Sequence, residues 1–160
     1  MVDPLLSISV RAVALTAFIL FAPVVASFKL APGSRWPEYL GIFFHLATFF
    51  LVAKLPAPEW ARAAGYSWLV LDVTTGAMII NRVPRAVADY VRLGGHIFAG
   101  IWIVVASLQG SAAAMLIGLP AGAFLFGYTF ASPFLRPVWL SPASILVLLW
   151  LAIIAWQNGI

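Results

Sequence analysis

The sequence predicts an all-α, polytopic integral membrane protein, built as a bundle of about six transmembrane helices. Of its 160 residues, 64% are hydrophobic and only 9% are charged, and the mean hydropathy is +1.05. Soluble domains carry about 25% charged residues. The apolar runs lack the alternation of a β-barrel, and backbone groups must be paired in lipid, so we expect helices.

Six apolar stretches are bounded by charged residues, proline or glycine. They cover residues 12–28, 39–53, 63–80, 94–108, 112–132 and 142–157. Several are shorter than the ~20 residues of a typical transmembrane helix. Only residues 109–111 separate the fourth stretch from the fifth. We predict a tight hairpin there; one broken helix, giving five spans, is the alternative. Length favours a single membrane-embedded domain over residues 1–160.

The first stretch resembles a secretory signal peptide. Arg11 precedes an apolar run, and Val24, Val25 and Ala26 resemble a cleavage site. We expect this segment to be a membrane helix that acts as a signal-anchor. The chain contains no cysteine, which excludes disulfides and sites that depend on cysteine ligands.

The distribution of positive charge predicts an orientation. In a six-span chain, one side of the membrane carries Lys29, Arg35, Arg82, Arg85, Arg92 and Arg136, and the other carries Arg11, Lys54 and Arg62. The side with more positive charge is expected in the cytoplasm, which places both termini outside. We expect a prokaryotic plasma membrane. The lipid bilayer is the expected partner, and the scattered positive charges indicate no nucleic-acid binding.

Two patterns predict contacts with the membrane interface. Five tryptophans lie near predicted span ends, as in an aromatic belt: Trp36, Trp60, Trp68, Trp139 and Trp156. The spacing of the polar and apolar side chains in residues 81–92 would put them on opposite sides of a helix. The polar side contains Arg82, Arg85, Asp89 and Arg92. We predict a short interfacial amphipathic helix here, with an ordinary polar loop as the alternative.

A stripe of small residues runs along the fifth span. Ala114, Gly118 and Gly122 are spaced four apart, so they share one face of a helix, and Pro120 lies between the glycines. Small residues allow close approach of a neighbouring helix. We predict that the stripe packs helices together. The alternatives are contact between copies in a homo-oligomer and a helix broken at Pro120 to line a cavity.

Three ionisable residues lie within predicted spans and are candidates for an ion or ligand site. They are His45, Asp72 and His96, and their distances from the span ends put them in or near the same half of the membrane. Thr48 and Thr75 share helix faces with His45 and Asp72. Because ionisable groups are costly inside a bilayer, they often mark functional sites. The alternative is that Asp72 makes one interhelical hydrogen bond that fixes packing.

These residues suggest four kinds of function. The first is a transporter, channel or membrane-embedded binding component that handles a proton, an ion or a small molecule. The second is a subunit that binds haem through His45 and His96, or a divalent metal through these histidines and Asp72. The third is a membrane enzyme that uses Asp72 as an acid or base; the sequence favours the absence of catalysis. The fourth is an accessory or structural subunit of a larger membrane complex.

Overall fold

The computed structural model describes residues 8–157, which form six long α-helices with no strand among them. The helices are α1 (Val10–Leu30), α2 (Trp36–Lys54), α3 (Glu59–Ile80), α4 (Arg85–Leu108), α5 (Ala112–Ala131) and α6 (Ser141–Gln157), and a short 3-10 helix (Pro137–Leu140) precedes α6. All six helices, α6 together with part of the 3-10 helix, are long and apolar enough to span a membrane. The sequence therefore predicted the helical class and the helix number.

Capping residues, and short charged segments that lie outside the apolar runs, set the ends of the helices. The Ser9 hydroxyl accepts a hydrogen bond from the Ala12 N–H at 3.1 Å, and Ser111 accepts one from Ala114 at 3.2 Å. Such caps satisfy backbone donors that the first turn of a helix leaves free. The Ser111 cap starts α5 as a separate helix, so α4 and α5 form the predicted hairpin and not one broken helix.

The separate interfacial helix predicted over residues 81–92 does not form. Residues 81–84 make a turn, with Arg82 at a positive φ of 65°, and Arg85 begins α4, which continues to Leu108. The helical periodicity was detected correctly, but it belongs to the first two turns of a longer helix. Arg92 turns inward toward α2 and is only 26% exposed, because a buried carboxylate lies there to receive it.

The six helices form a closed ring. Each helix packs against its neighbours in the sequence, and α6 packs against α1 to close the circle. Short connections between successive helices favour this antiparallel neighbour packing. We call the end of the ring with Glu38 and Arg85 the basic end, and the end with Glu59 and Leu108 the opposite end.

The interior of the ring near the opposite end is filled with large side chains. Trp102 and Trp150 are 0% and 1% exposed, and their ring centroids are 5.5 Å apart in an edge-to-face arrangement. The ring centroid of Trp68 lies 5.8 Å from that of Trp102. Leu51 and Ile103 fill the space around these rings. We call the cluster of Trp102, Trp150, Leu51 and Ile103 the aromatic plug.

The small-residue stripe of α5 faces the inside of the bundle. A Cβ atom at Gly122 would lie 2.7 Å from the Gly100 carbonyl oxygen of α4, and one at Gly100 would lie 2.6 Å from the Gly122 oxygen. Gly118 packs against Ser107 of α4 and Trp150 of α6, and Ala114 is 1% exposed. These residues therefore lie between helices of the same chain, where another copy cannot reach them. The α5 helix continues through Pro120.

The outer surface is apolar along the helices and rich in tryptophan near their ends. Trp36, Trp60, Trp139 and Trp156 are between 44% and 76% exposed, which fits an aromatic belt. Trp68 was placed in the same belt by its sequence position, and that prediction is wrong. It is 4% exposed, because its side chain points into the ring toward Asp72.

Candidate functional site

A cavity of about 770 Å³ occupies the ring interior near the basic end, and side chains from all six helices line it. Its outer lining includes Lys29, Asp89 and Tyr90, which are exposed, and its inner lining includes Phe44 and Asp72, which are buried. The cavity therefore opens at the basic end and reaches inward to the aromatic plug. Its size falls within the ~300–1,000 Å³ typical of small-molecule sites.

His45 and Asp72 are in contact at the inner end of this cavity. The Nε2 atom of His45 lies 3.1 Å from Oδ2 of Asp72, and the Trp68 indole N–H donates to the same oxygen at 2.5 Å. The other ring nitrogen, Nδ1, lies 2.6 Å from the backbone oxygen of Gly41. Both nitrogens of His45 thus face oxygen atoms.

This geometry requires a proton in the His45–Asp72 pair. A carbonyl oxygen only accepts hydrogen bonds, so the Nδ1 atom that contacts Gly41 carries a hydrogen. If His45 were neutral, its Nε2 lone pair would then face Oδ2, and two acceptors would meet unless Asp72 were protonated. If Asp72 is ionised, His45 must be the doubly protonated imidazolium. In either state the pair holds one proton and has zero net charge.

Glu38 and two arginines form an ionic cluster beside this pair. Glu38 is 9% exposed; its carboxylate accepts from Nη2 of Arg92 at 2.6 Å and lies 3.5 Å from Nη2 of Arg85. Arg85 also donates to the backbone oxygen of Ser34 at 3.3 Å. Arg92 extends further inward, with its Nε atom 3.9 Å from Oδ1 of Asp72. Arg92 therefore links the two buried carboxylates.

Two buried polar atoms at the cavity lack a hydrogen-bond partner in the described structure. They are Oδ1 of Asp72 and Nδ1 of His96, and both side chains are less than 10% exposed. A buried polar group without a partner is unfavourable by about 1–3 kcal/mol. A Cβ atom at Gly95 would lie 3.3 Å from Oδ1, so the glycine keeps the space beside the carboxylate open. A ligand in the cavity can supply the missing partners.

The threonines expected near this site are not part of it. The Thr48 hydroxyl donates to the Phe44 carbonyl at 2.8 Å, and Thr75 donates to the Leu71 carbonyl at 2.9 Å. These bonds within a helix are common for threonine and occupy its hydrogen. Neither threonine lines the cavity. Sharing a helix face with an ionisable residue was therefore too weak a criterion.

The haem and metal hypotheses do not fit the geometry. His45 has no nitrogen lone pair available for iron, because its Nδ1 atom is hydrogen-bonded to the Gly41 backbone oxygen and its Nε2 atom contacts Oδ2 of Asp72. Within residues 8–157, no group of three His, Cys, Asp or Glu side chains is placed to hold a metal ion. His45, Asp72 and His96 border one cavity but do not form a coordination sphere.

The sequence contained a signal for the residues that were missed. Glu38 precedes His45 by seven residues and Arg92 precedes His96 by four, so each lies on the same helix face as a histidine. Trp68 stands one turn before Asp72. Their positions near span ends instead favour the membrane interface, where charged groups and tryptophan are usual.

The chemistry of this cavity is therefore defined by the proton of the His45–Asp72 pair, the Glu38 ionic cluster and the two unpartnered atoms. Most of its remaining lining is apolar. Comparison of the chain with known protein families, with curated proteins and with solved structures finds no match.

Proposed function

We propose that this chain is a membrane-embedded binding or transport component that takes a proton and a small molecule into the cavity from the basic end. The observation that carries the proposal is the His45–Asp72 pair, whose geometry requires a proton at the inner end of an accessible cavity. An ionisable pair deep in a helical bundle is the arrangement that proton-handling membrane proteins use.

The apolar outer surface supports placement in a membrane. The exposed side chains along the helices include Ile19, Phe43, Leu116 and Leu149, which suits contact with lipid. From the greater number of arginines and lysines at the basic end we infer that this end faces the cytoplasm and that the cavity opens to that side. The aromatic plug fills the rest of the ring, which favours a binding component or carrier over an open channel.

A proton titration tests this function. We expect the purified wild-type protein to release about one more proton per chain than the double variant His45→Gln/Asp72→Asn on titration with base from about pH 5, because the substitutions remove the two groups that hold the shared proton. Potentiometric titration in detergent gives the proton count, and circular dichroism confirms that both proteins stay folded.

The matched control is Asp89→Asn, which removes an exposed carboxylate at the mouth of the same cavity. Asp89 is not a member of the His45–Asp72 pair, so this variant should release as many protons as the wild type over the same titration. If the double variant and the wild type release equal numbers of protons, the proposed function is wrong.

A further inference from the structure

We propose that the small molecule bound in the cavity is a single-chain amphipathic monoanion, with a carboxylate-type head near His96 and Arg92 and an apolar chain against the cavity walls. This inference rests on the proposed function, since it assigns the chemical class of the molecule that binds with the proton. It follows from the charge of the cavity, the unpartnered nitrogen of His96, and the character of the walls and mouth.

The charge of the described lining favours a monoanion. Three cationic side chains, Lys29, Arg85 and Arg92, and three acidic ones, Glu38, Asp72 and Asp89, line the cavity, so their formal charges cancel. The proton of the His45–Asp72 pair then gives the cavity a formal charge of about +1. A monoanion neutralises this charge, and a cation adds to it. Because binding linkage is reciprocal, the proton and the anion favour each other.

The unpartnered nitrogen of His96 indicates where the anionic head of the ligand binds. His96 is 93% buried, since its exposed fraction is 7%, it lines the cavity, and its Nδ1 atom lacks a partner. This nitrogen can donate to an anionic oxygen in the tautomer that carries the hydrogen on Nδ1. The Arg92 guanidinium lies one helical turn away on the same face and adds positive charge. Oδ1 of Asp72 only accepts hydrogen bonds, so it is not a partner for the anionic head; its nearest cationic group is Nε of Arg92, 3.9 Å away.

The walls and the mouth indicate the rest of the ligand. Phe21, Val24, Leu125 and Val147 contribute apolar surface to the interior. At the mouth, four apolar side chains are exposed by between 40% and 77%: Phe28, Tyr90, Leu135 and Val138. Lys29 and Arg85 are exposed beside them. An apolar mouth with positive charges suits a molecule that arrives from the membrane interface, where anionic heads and apolar chains meet.

Calorimetric binding of three probes to the purified protein in neutral detergent tests the ligand class. The probes are decanoate, decyltrimethylammonium and acetate, and empty micelles provide the blank. We expect decanoate to bind at least about tenfold more tightly than either of the others, since acetate lacks the chain and the ammonium probe carries the wrong charge. Equal binding of decanoate and decyltrimethylammonium, or equal binding of acetate, would overturn the proposal.

Two variants at the mouth change the cavity charge in opposite directions. Arg85→Gln removes one positive charge and should weaken decanoate binding about threefold, whereas Asp89→Asn removes one negative charge and should strengthen it by a similar factor. Loss of structure would weaken both. The control is Arg11→Gln, which removes an exposed arginine at the opposite end of the ring and should leave binding unchanged. Weaker binding, or no change, in both mouth variants would contradict the proposed charge selection.

The binding experiment and the proton titration can fail separately. Selective decanoate binding by a protein whose His45–Asp72 pair does not titrate would contradict the proposed function and leave the ligand class standing. Equal binding of decanoate and decyltrimethylammonium, in a protein whose His45–Asp72 pair does release its proton, would contradict the ligand class but not the proton site.

Discussion

The variant Glu38→Leu is expected to lower the free energy of unfolding by about 3 kcal/mol, because it removes one partner of a buried ionic cluster. Arg92 would keep its charge in a position where only 26% of its side chain is exposed. We expect the lower end of the range for broken buried pairs, since Oδ1 of Asp72 is already 3.9 Å from Arg92 and compensates in part. Unfolding of the purified protein in mixed micelles measures the change.

The control for this variant is Glu59→Leu, which removes an exposed carboxylate at the opposite end of the ring. Its effect should stay below about 1 kcal/mol, as for other exposed charges. The double variant Glu38→Leu/Arg92→Leu should recover part of the loss, because apolar residues often replace a buried ion pair without penalty. Equal effects of Glu38→Leu and Glu59→Leu would show that the ionic cluster contributes nothing.

The variants Gly100→Ala and Gly122→Ala are each expected to destabilise the protein by about 2 kcal/mol through overpacking. The new Cβ atoms would lie 2.6 Å and 2.7 Å from backbone oxygens of the facing helix, and a backbone cannot move aside without separating α4 from α5. The same substitution in an unobstructed helix favours the helix by about 1 kcal/mol. The expected change in stability therefore has the opposite sign to the change that helix propensity alone would give. Thermal unfolding in detergent measures it.

Gly127→Ala provides the matched control on α5, because nothing lies within 4 Å of the Cβ atom that it adds. We expect this variant to be as stable as the wild type or slightly more stable. If all three alanine variants behave alike, the close contact between Gly100 and Gly122 is not part of the folded protein.

The fold could be predicted from the sequence because its main determinant is local. An apolar run long enough to cross a bilayer must be helical, whatever its neighbours are. The predicted helix ends were less accurate than the helix number. A charged segment such as residues 85–92 can form helical turns that extend a helix beyond its apolar part. The ring closed by α1 and α6 depends on contacts between distant parts of the chain, so the sequence pattern gave no indication of it.

The candidate site could be predicted only in part, for a related reason. Asp72 and the two histidines were selected because charges deep in a span are unusual. Glu38 is buried and Arg92 is half-buried, but they lie near helix ends, where exposed charges are common. Their location away from solvent follows from the contact that their two side chains make across the cavity mouth, between helices α2 and α4. Trp68 was misplaced in the same way, since a position near a span end does not say which way a side chain points.

Nitrogen NMR of His45 tests most directly the claim that this histidine and Asp72 share a proton. The chain has two histidines, so labelled histidine gives two sets of signals, and His96→Asn assigns them. We predict that Nδ1 of His45 carries a hydrogen, and that Nε2 is protonated or accepts a strong hydrogen bond from a protonated Asp72. A neutral His45 with a bare Nδ1 and a hydrogen only on Nε2 would contradict the account.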